Sequence, residues 1–177
     1  MLTLASNRTY CWQALALFCM ITDDLSHLKA ALQPGRRLLG LDLGEKTIGL
    51  ALSDTLLTVA SPFKTLKRGK FKDDVATLGA LIAEHRIGGL VLGLPLNMDG
   101  SEGPSVQSVR AFARNFASVS DCPLAFMDER LSTAAVTRTL IAADASRRRR
   151  GQLVDKMAAA YILQGALDRL RHLPPPP

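Results

Sequence analysis

LLGLDLGEKTIGLALSD, residues 38–54, decides the fold. Arg37–Leu41 reads as a mostly buried strand that runs straight into Asp42. Gly44–Gly49 carries a turn, and Ile48–Ser53 returns as a second strand. Val59–Leu66 follows as a shorter third strand. Pro62 confines it to a sheet edge, because proline cannot donate to a hydrogen-bond ladder. The three form an antiparallel meander. Beyond them the pattern changes. Asp73-Asp74 open a helix with Val75, Leu78, Leu81 and Ile82 on one face, and Gly88-Gly89 end it. Leu90–Leu94 is apolar throughout, as in a parallel strand covered on both faces. Pro104 suits the first turn of the next helix, whose buried stripe is Val106, Val109, Phe112, Ala113 and Phe116. Pro123–Met127 is a further strand. Ser132 can cap a helix over 133–143, Arg147–Arg150 form a basic loop, and Leu153–Leu170 form the last helix. The order β-β-β-α-β-α-β-α-α predicts an α/β fold: a mixed five-stranded sheet, antiparallel meander then βαβ crossovers, with helices on both faces.

The chain of 177 residues suits one domain with a sizeable core. That domain is expected over 36–172, after an N-terminal extension and lead-in helix (1–35) and before a Pro-rich tail (173–177). The apolar run WQALALFCMI is too short to span a bilayer. It also has only Arg8 before it, where a signal peptide wants a more basic start and a small-residue cleavage site, so a signal peptide is not the reading expected. Met20 reads as the natural start, which makes residues 1–19 a start-site overcall or an extension. Cys11, Cys19 and Cys122 are odd in number and widely spaced, which argues against a disulfide framework and for a reducing, cytoplasmic setting. Cys122 reads as a small buried hydrophobe. The net charge of +6 favours a polyanionic partner, nucleic acid before membrane.

Within this basic chain, acids stand at the ends of apolar patterns: Asp42, the Asp128-Glu129 pair in LAFMDERLST, and Asp155 in LVDKMAAAYILQ. Each has an ordinary alternative. A strand-end Asp often accepts from turn amides, and an acid in a helix's first turn is favoured by the helix dipole. However, Asp155 precedes the stripe Ala158, Ala159, Ile162, Ala166 by three and four residues, which puts it on or beside the buried face. Period-two alternation points Asp128 and Glu129 to opposite faces, so only one can join Asp42. Asp128 has the phase of Leu124 and Phe126. Together the acids fit a two-metal phosphodiesterase site. Hard oxygen donors, with His27, His85 and His172 at no ligand spacing, favour Mg²⁺ or Mn²⁺ over zinc. The loop Leu96–Pro104 leads to a helix N-terminus that can hold a phosphate, and Arg147–Arg150 read as backbone contacts or as a solvated charge run.

LLGLDLGEKTIGLALSD, VLGLPLNMDGSEGPSVQSVRAFA, MDERLST and VDKMAAAYILQ resemble the four motif blocks of the YqgF family, Holliday-junction-resolvase-like proteins regarded as nucleases of pre-16S rRNA. The likeness runs from Arg36 to about Leu167. It implies an RNase H-like fold and a metal-dependent nuclease acting on the 5′ end of the small-subunit rRNA precursor. By position it makes Asp42, Asp128 and Asp155 the metal ligands, with Glu129 the alternative to Asp128 in a catalytic set of all four. Asn97, Asp99 and Glu102 would line the same mouth. Lys46, Asn97, Arg130, Arg147, Arg148, Arg149 and Arg150 would meet nucleic acid. The site would work in a monomer or homodimer. Three competitors remain from the residues: a resolvase of four-way DNA junctions, an actin-like ATP-binding protein, and a non-catalytic RNA-binding maturation factor. The second needs two such domains, and this chain holds one.

Overall fold

A computed structural model of the chain describes residues 21–97, 99–128 and 147–174, with backbone alone for 147–154. Residues 1–19, Glu129, Arg130, the helix expected after Ser132 and the end of the proline tail lie outside the described residues. So do the side chains of Arg147–Arg150.

Ten elements follow in order: β1 (Ile21–Thr22), α1 (Leu25–Ala31), β2 (Arg37–Leu43), β3 (Thr47–Ser53), β4 (Ala60–Lys67), α2 (Phe71–Glu84), β5 (Ile87–Leu94), α3 (Pro104–Ala117), β6 (Leu124–Asp128) and α4 (Arg147–His172). The sheet order is β1-β6-β5-β2-β3-β4. β2, β3 and β4 are the antiparallel meander, while β5 joins β2, and β6 joins β5, in parallel. The expected mixed sheet is present with six strands in place of five. The addition is β1, where Ile21 and Thr22 pair in parallel with Leu124 and Ala125. Two residues carry no readable periodicity, and only their neighbour makes them a strand.

Alternation sorts the side chains into two layers. Leu39, Leu41, Ile48, Leu50, Leu90, Leu92, Leu124 and Phe126 meet α2 and α3 on one face. Leu38, Ala51, Val91, Ala125 and Met127 meet α4 and α1 on the other. The stripe predicted for the last helix is buried as Ala158, Ala159, Ile162 and Ala166. The helix starts earlier than expected, however. Arg147–Arg150 are its first turn and not a loop, since arginine is a good helix former and no breaker precedes Gly151. Gly88 and Gly89 likewise do not end α2, which stops at Glu84 with the His85 N–H on Leu81 O at 3.0 Å. Both glycines lie in β5. A Cβ at Gly88 would stand 2.7 Å from Leu32 Cδ1, and one at Gly89 2.6 Å from Leu28 Cδ1. They let α1 close over the strand. Among the described residues, no helix is long and apolar enough to cross a membrane.

The tightest joint is between α4 and the sheet. A Cβ at Gly40 would lie 2.7 Å from Leu163 Cβ and 2.9 Å from Ala159 O. Real Cβ atoms do not come that close, so the helix or the strand would have to move. Gly40→Ala is therefore expected to lower stability by about 1–3 kcal/mol, the usual cost of overpacking, read as an earlier midpoint in urea denaturation. Cys122 packs half-buried at the margin of the α2–α3 core. Burial pushes its thiol up to about 12, against a smaller opposing effect from Arg36. At pH 8 its thiolate fraction is accordingly far below that of free cysteine. Peptide mapping after iodoacetamide should show Cys122 alkylated at least about tenfold more slowly in native protein than in urea.

Candidate active site

β2, β5 and β6 run parallel, so their C-terminal ends open at one end of the sheet. In an open α/β sheet that is where ligands are received. Asp42 stands in the last turn of β2 before the hairpin. It is half-buried, and Gly49 of β3 is its cross-strand partner. Its phase is that of Leu38 and Gly40, so it belongs to the face that α4 covers.

The side chain missing at Gly49 is what lets α4 arrive there. A Cβ on Gly49 would fall on the Asp155 carbonyl and 3.1 Å from Lys156 N. The backbone of Asp155 thus rests directly on the residue paired with Asp42. The Asp155 carboxylate is half-buried, and its Oδ2 accepts from the Thr47 hydroxyl at 2.7 Å. Thr47 is two residues before Gly49 and shares its face, so one strand both seats the helix and orients its acid. The hairpin beneath is closed by Gly44 N–H on Thr47 O at 2.9 Å and by Arg68 Nη1 on Gly44 O at 2.8 Å.

Asp128 is at the same end of the sheet, with β5 between it and β2. It pairs with Leu94 and continues the phase of Leu124 and Phe126, which face α2 and α3. Among the described residues no group of three or more His, Cys, Asp or Glu is gathered that could hold a metal. Asp42 and Asp155 are the two expected acids that share one face of the sheet.

The loop after β5 lies at this mouth and is built by its own side chains. Asp99 Oδ1 accepts from Ser101 N at 2.9 Å and from the Ser101 hydroxyl at 2.7 Å, which is a turn-forming role. Asn97 Nδ2 donates to Ser101 Oγ at 2.8 Å, and Gly100 takes φ +85°. Glu102 is held by Arg110 of α3 at 2.8 Å, and that guanidinium lies 5.0 Å from the centre of the Phe126 ring. Lys46 is exposed in the hairpin turn.

Sequence reasoning missed Thr47 and the seat at Gly49. The signal was a Thr and a Gly in period-two phase behind Asp42. It also passed over KTLKRGKFK, residues 64–72, with five cations in nine residues. The seat has a direct test. Gly49→Ala is expected to cut any activity that needs both carboxylates by about 100-fold, the cost of roughly 1 Å of misplacement. Gly79→Ala, in open space on α2, should leave activity unchanged and raise stability by up to about 1 kcal/mol.

Comparison with known proteins adds an independent finding. The family profile described as "RuvX: Holliday junction resolvase" matches residues 36–169. A protein of Roseobacter denitrificans named "Putative pre-16S rRNA nuclease" is 59% identical over 154 residues, 86% of this chain and 94% of its own length. One of the same name from Paramagnetospirillum magneticum is 62% identical over 143 residues, 81% of this chain and 92% of its own. Among solved structures, Thermus thermophilus RuvC in complex with a Holliday junction substrate is 14% identical with a TM-score of 0.49. That match covers 79% of this chain and 99% of that one. The motifs quoted from residues 38–54, 91–113, 127–133 and 154–164 all lie inside the matched span, and this chain belongs to the RuvX/YqgF family.

Proposed function

We propose that the chain is a divalent-metal-dependent nuclease that processes the 5′ end of pre-16S rRNA. The observation that carries this reading is the meeting of Asp42 and Asp155 across Gly49, on the sheet end where the parallel strands open. Asp42 and Asp155 are both half-buried and both adjoin Gly49, one as its ladder partner and one through its backbone, and a cation bound there would draw on both carboxylates. The donors are hard oxygens with no histidine or thiolate among them, which suits Mg²⁺ or Mn²⁺. Asp42 and Asp155 would hold the ion. The third carboxylate would come from the Asp128-Glu129 pair. A bound pair of such ions would supply an activated water and offset charge developing on the phosphoryl and leaving oxygens.

The remaining tasks fall to the chain. Thr47 holds the Asp155 carboxylate in one rotamer with its hydroxyl. Gly49 fixes the height of that carboxylate over the sheet. The loop 95–103, closed on itself and tied to Arg110, forms one wall of the mouth. Substrate binding rests on cations around this mouth, Lys46 among them.

The test is cleavage of a 5′-extended small-subunit rRNA precursor by wild type, Asp42→Asn and Asp155→Asn, with Mg²⁺, Mn²⁺ or EDTA. Wild type should cut with either ion and not in EDTA. Each variant should lose on the order of 10⁴-fold, as for removal of an essential catalytic group. Full activity of Asp42→Asn would sink the reading. The family's description favours a second substrate, the four-way DNA junction. Junction DNA cut faster than the RNA precursor, with the same dependence on Asp42, would transfer the chemistry to that substrate. RNA bound but uncut would leave a maturation factor without catalysis.

A further inference from the structure

We propose that the free edge of the sheet beside the acid pair is a sequence-independent track for the phosphodiester backbone, formed by Lys46, Lys67, Lys70 and Lys72 and braced by Arg68. The inference rests on the nuclease reading and extends it to where the substrate strand lies.

The track begins at the site. Lys67 is the cross-strand partner of Thr47, the residue that holds Asp155. Cross-strand neighbours lie on one face about 5 Å apart, so Lys67 stands on the α4 face one strand outward from the acid pair. Lys46 adjoins Thr47 in the hairpin turn. Its carbonyl accepts from Arg68 N at 2.9 Å, and Arg68 Nη1 holds Gly44 O, so the turn and the end of β4 form one unit. β4 is the last strand in the sheet order. The chain passes from Lys67 in three residues to the start of α2, where Lys70 is the N-cap and Lys72 lies in the first turn. The cations lead from the α4 face, around the edge, to the α2 face.

Two features set these lysines apart from ordinary surface charge. Lysine on an edge strand guards against pairing with another sheet, which would account for Lys64 and Lys67 alone. Lys70 and Lys72 lie beyond the strand, at a helix N-terminus, where the dipole disfavours a cation. Lys70 also makes no side-chain cap bond there. Of the two acids of that turn, Asp73 is exposed and makes no ion pair with either lysine among the described residues. Asp74 is buried and accepts from Gly69 N at 3.0 Å. Among the described residues the ion pairs involve Arg110 and His85, and none of the four lysines. Lys46, Lys67, Lys70 and Lys72 are all exposed. Exposed, unpaired cations in a continuous line suit a flexible chain of phosphates better than a compact anion.

The test is binding of a 5′-extended rRNA precursor fragment to the full chain in EDTA, which prevents cleavage, over a series of salt concentrations. The variants are Lys67→Ala/Lys70→Ala/Lys72→Ala and a control of equal charge, Arg36→Ala/Arg114→Ala/Arg169→Ala, at exposed positions elsewhere. Each single-strand phosphate contact contributes about 0.7 to the slope of log affinity against log salt. The track variant should therefore lose about 2 from that slope, the control far less, and arginine at the three track positions should restore it. With Mg²⁺ the track variant should raise KM and leave kcat unchanged. Equal losses in the two alanine variants, or an unchanged slope in the track variant of a wild type that cleaves, would overturn the track alone. A wild type that neither binds nor cleaves would overturn the track together with the function it serves.

Discussion

The backbone of one helix rests on two glycines of the sheet, and the geometry of the site follows from that contact. Gly40 of β2 receives α4 at Ala159 and Leu163, and Gly49 of β3 receives it one turn earlier at Asp155. At Gly49 helix and sheet approach to the limit set by backbone atoms, and at Gly40 the Leu163 Cβ and the Ala159 carbonyl close the gap. The position of Asp155 is thus fixed by main-chain packing, which is stiff, and not by the rotamer of a long side chain. Because Gly49 is the ladder partner of Asp42, the contact that seats the helix also sets the spacing of the two acids. The small residues Ala158, Ala159 and Ala160 extend the close approach along the helix.

This arrangement has an electrostatic consequence. A chain of net charge +6 draws a polyanion toward it, yet in the proposed site the phosphate would meet two carboxylates. Attraction at long range and repulsion at contact are reconciled only when a cation occupies the acid pair. Substrate and metal should then favour each other's binding. In the proposed track the lysines beside the edge strand would act on the flanking phosphates, away from the acids, and so could hold the strand whether or not the ion is present. The fold separates the two tasks: the glycine seat organises the chemistry, and the free edge organises the strand.

Much of this was legible in the residues. The meander, the apolar central strand and the buried stripe of the last helix follow from periodicity, and Asp42 and Asp155 were marked by standing where a carboxylate is expensive. Other features depended on information that one segment does not contain. Ile21–Thr22 becomes a strand only because β6 offers an open edge. Gly88-Gly89 looked like a helix stop, yet their reason is the approach of Leu32 and Leu28 from a distant helix. Alternation separated Asp128 from Glu129 but could not say which faces α4. That depends on the side of the sheet the last helix takes, and Asp128 continues the phase of Leu124 and Phe126 toward α2 and α3. Lys67 was hidden for the same reason, since its nearness to Thr47 is a property of the β3–β4 ladder.

The most direct test of the account is a crystal structure of the wild-type chain grown with Mn²⁺ and examined by anomalous scattering. The account predicts a manganese peak in inner-sphere contact with both Asp42 and Asp155, beside Gly49, with the Thr47 hydroxyl still on Asp155. Manganese bound by other residues, or an acid pair that stays empty at a saturating concentration of the ion, would contradict it.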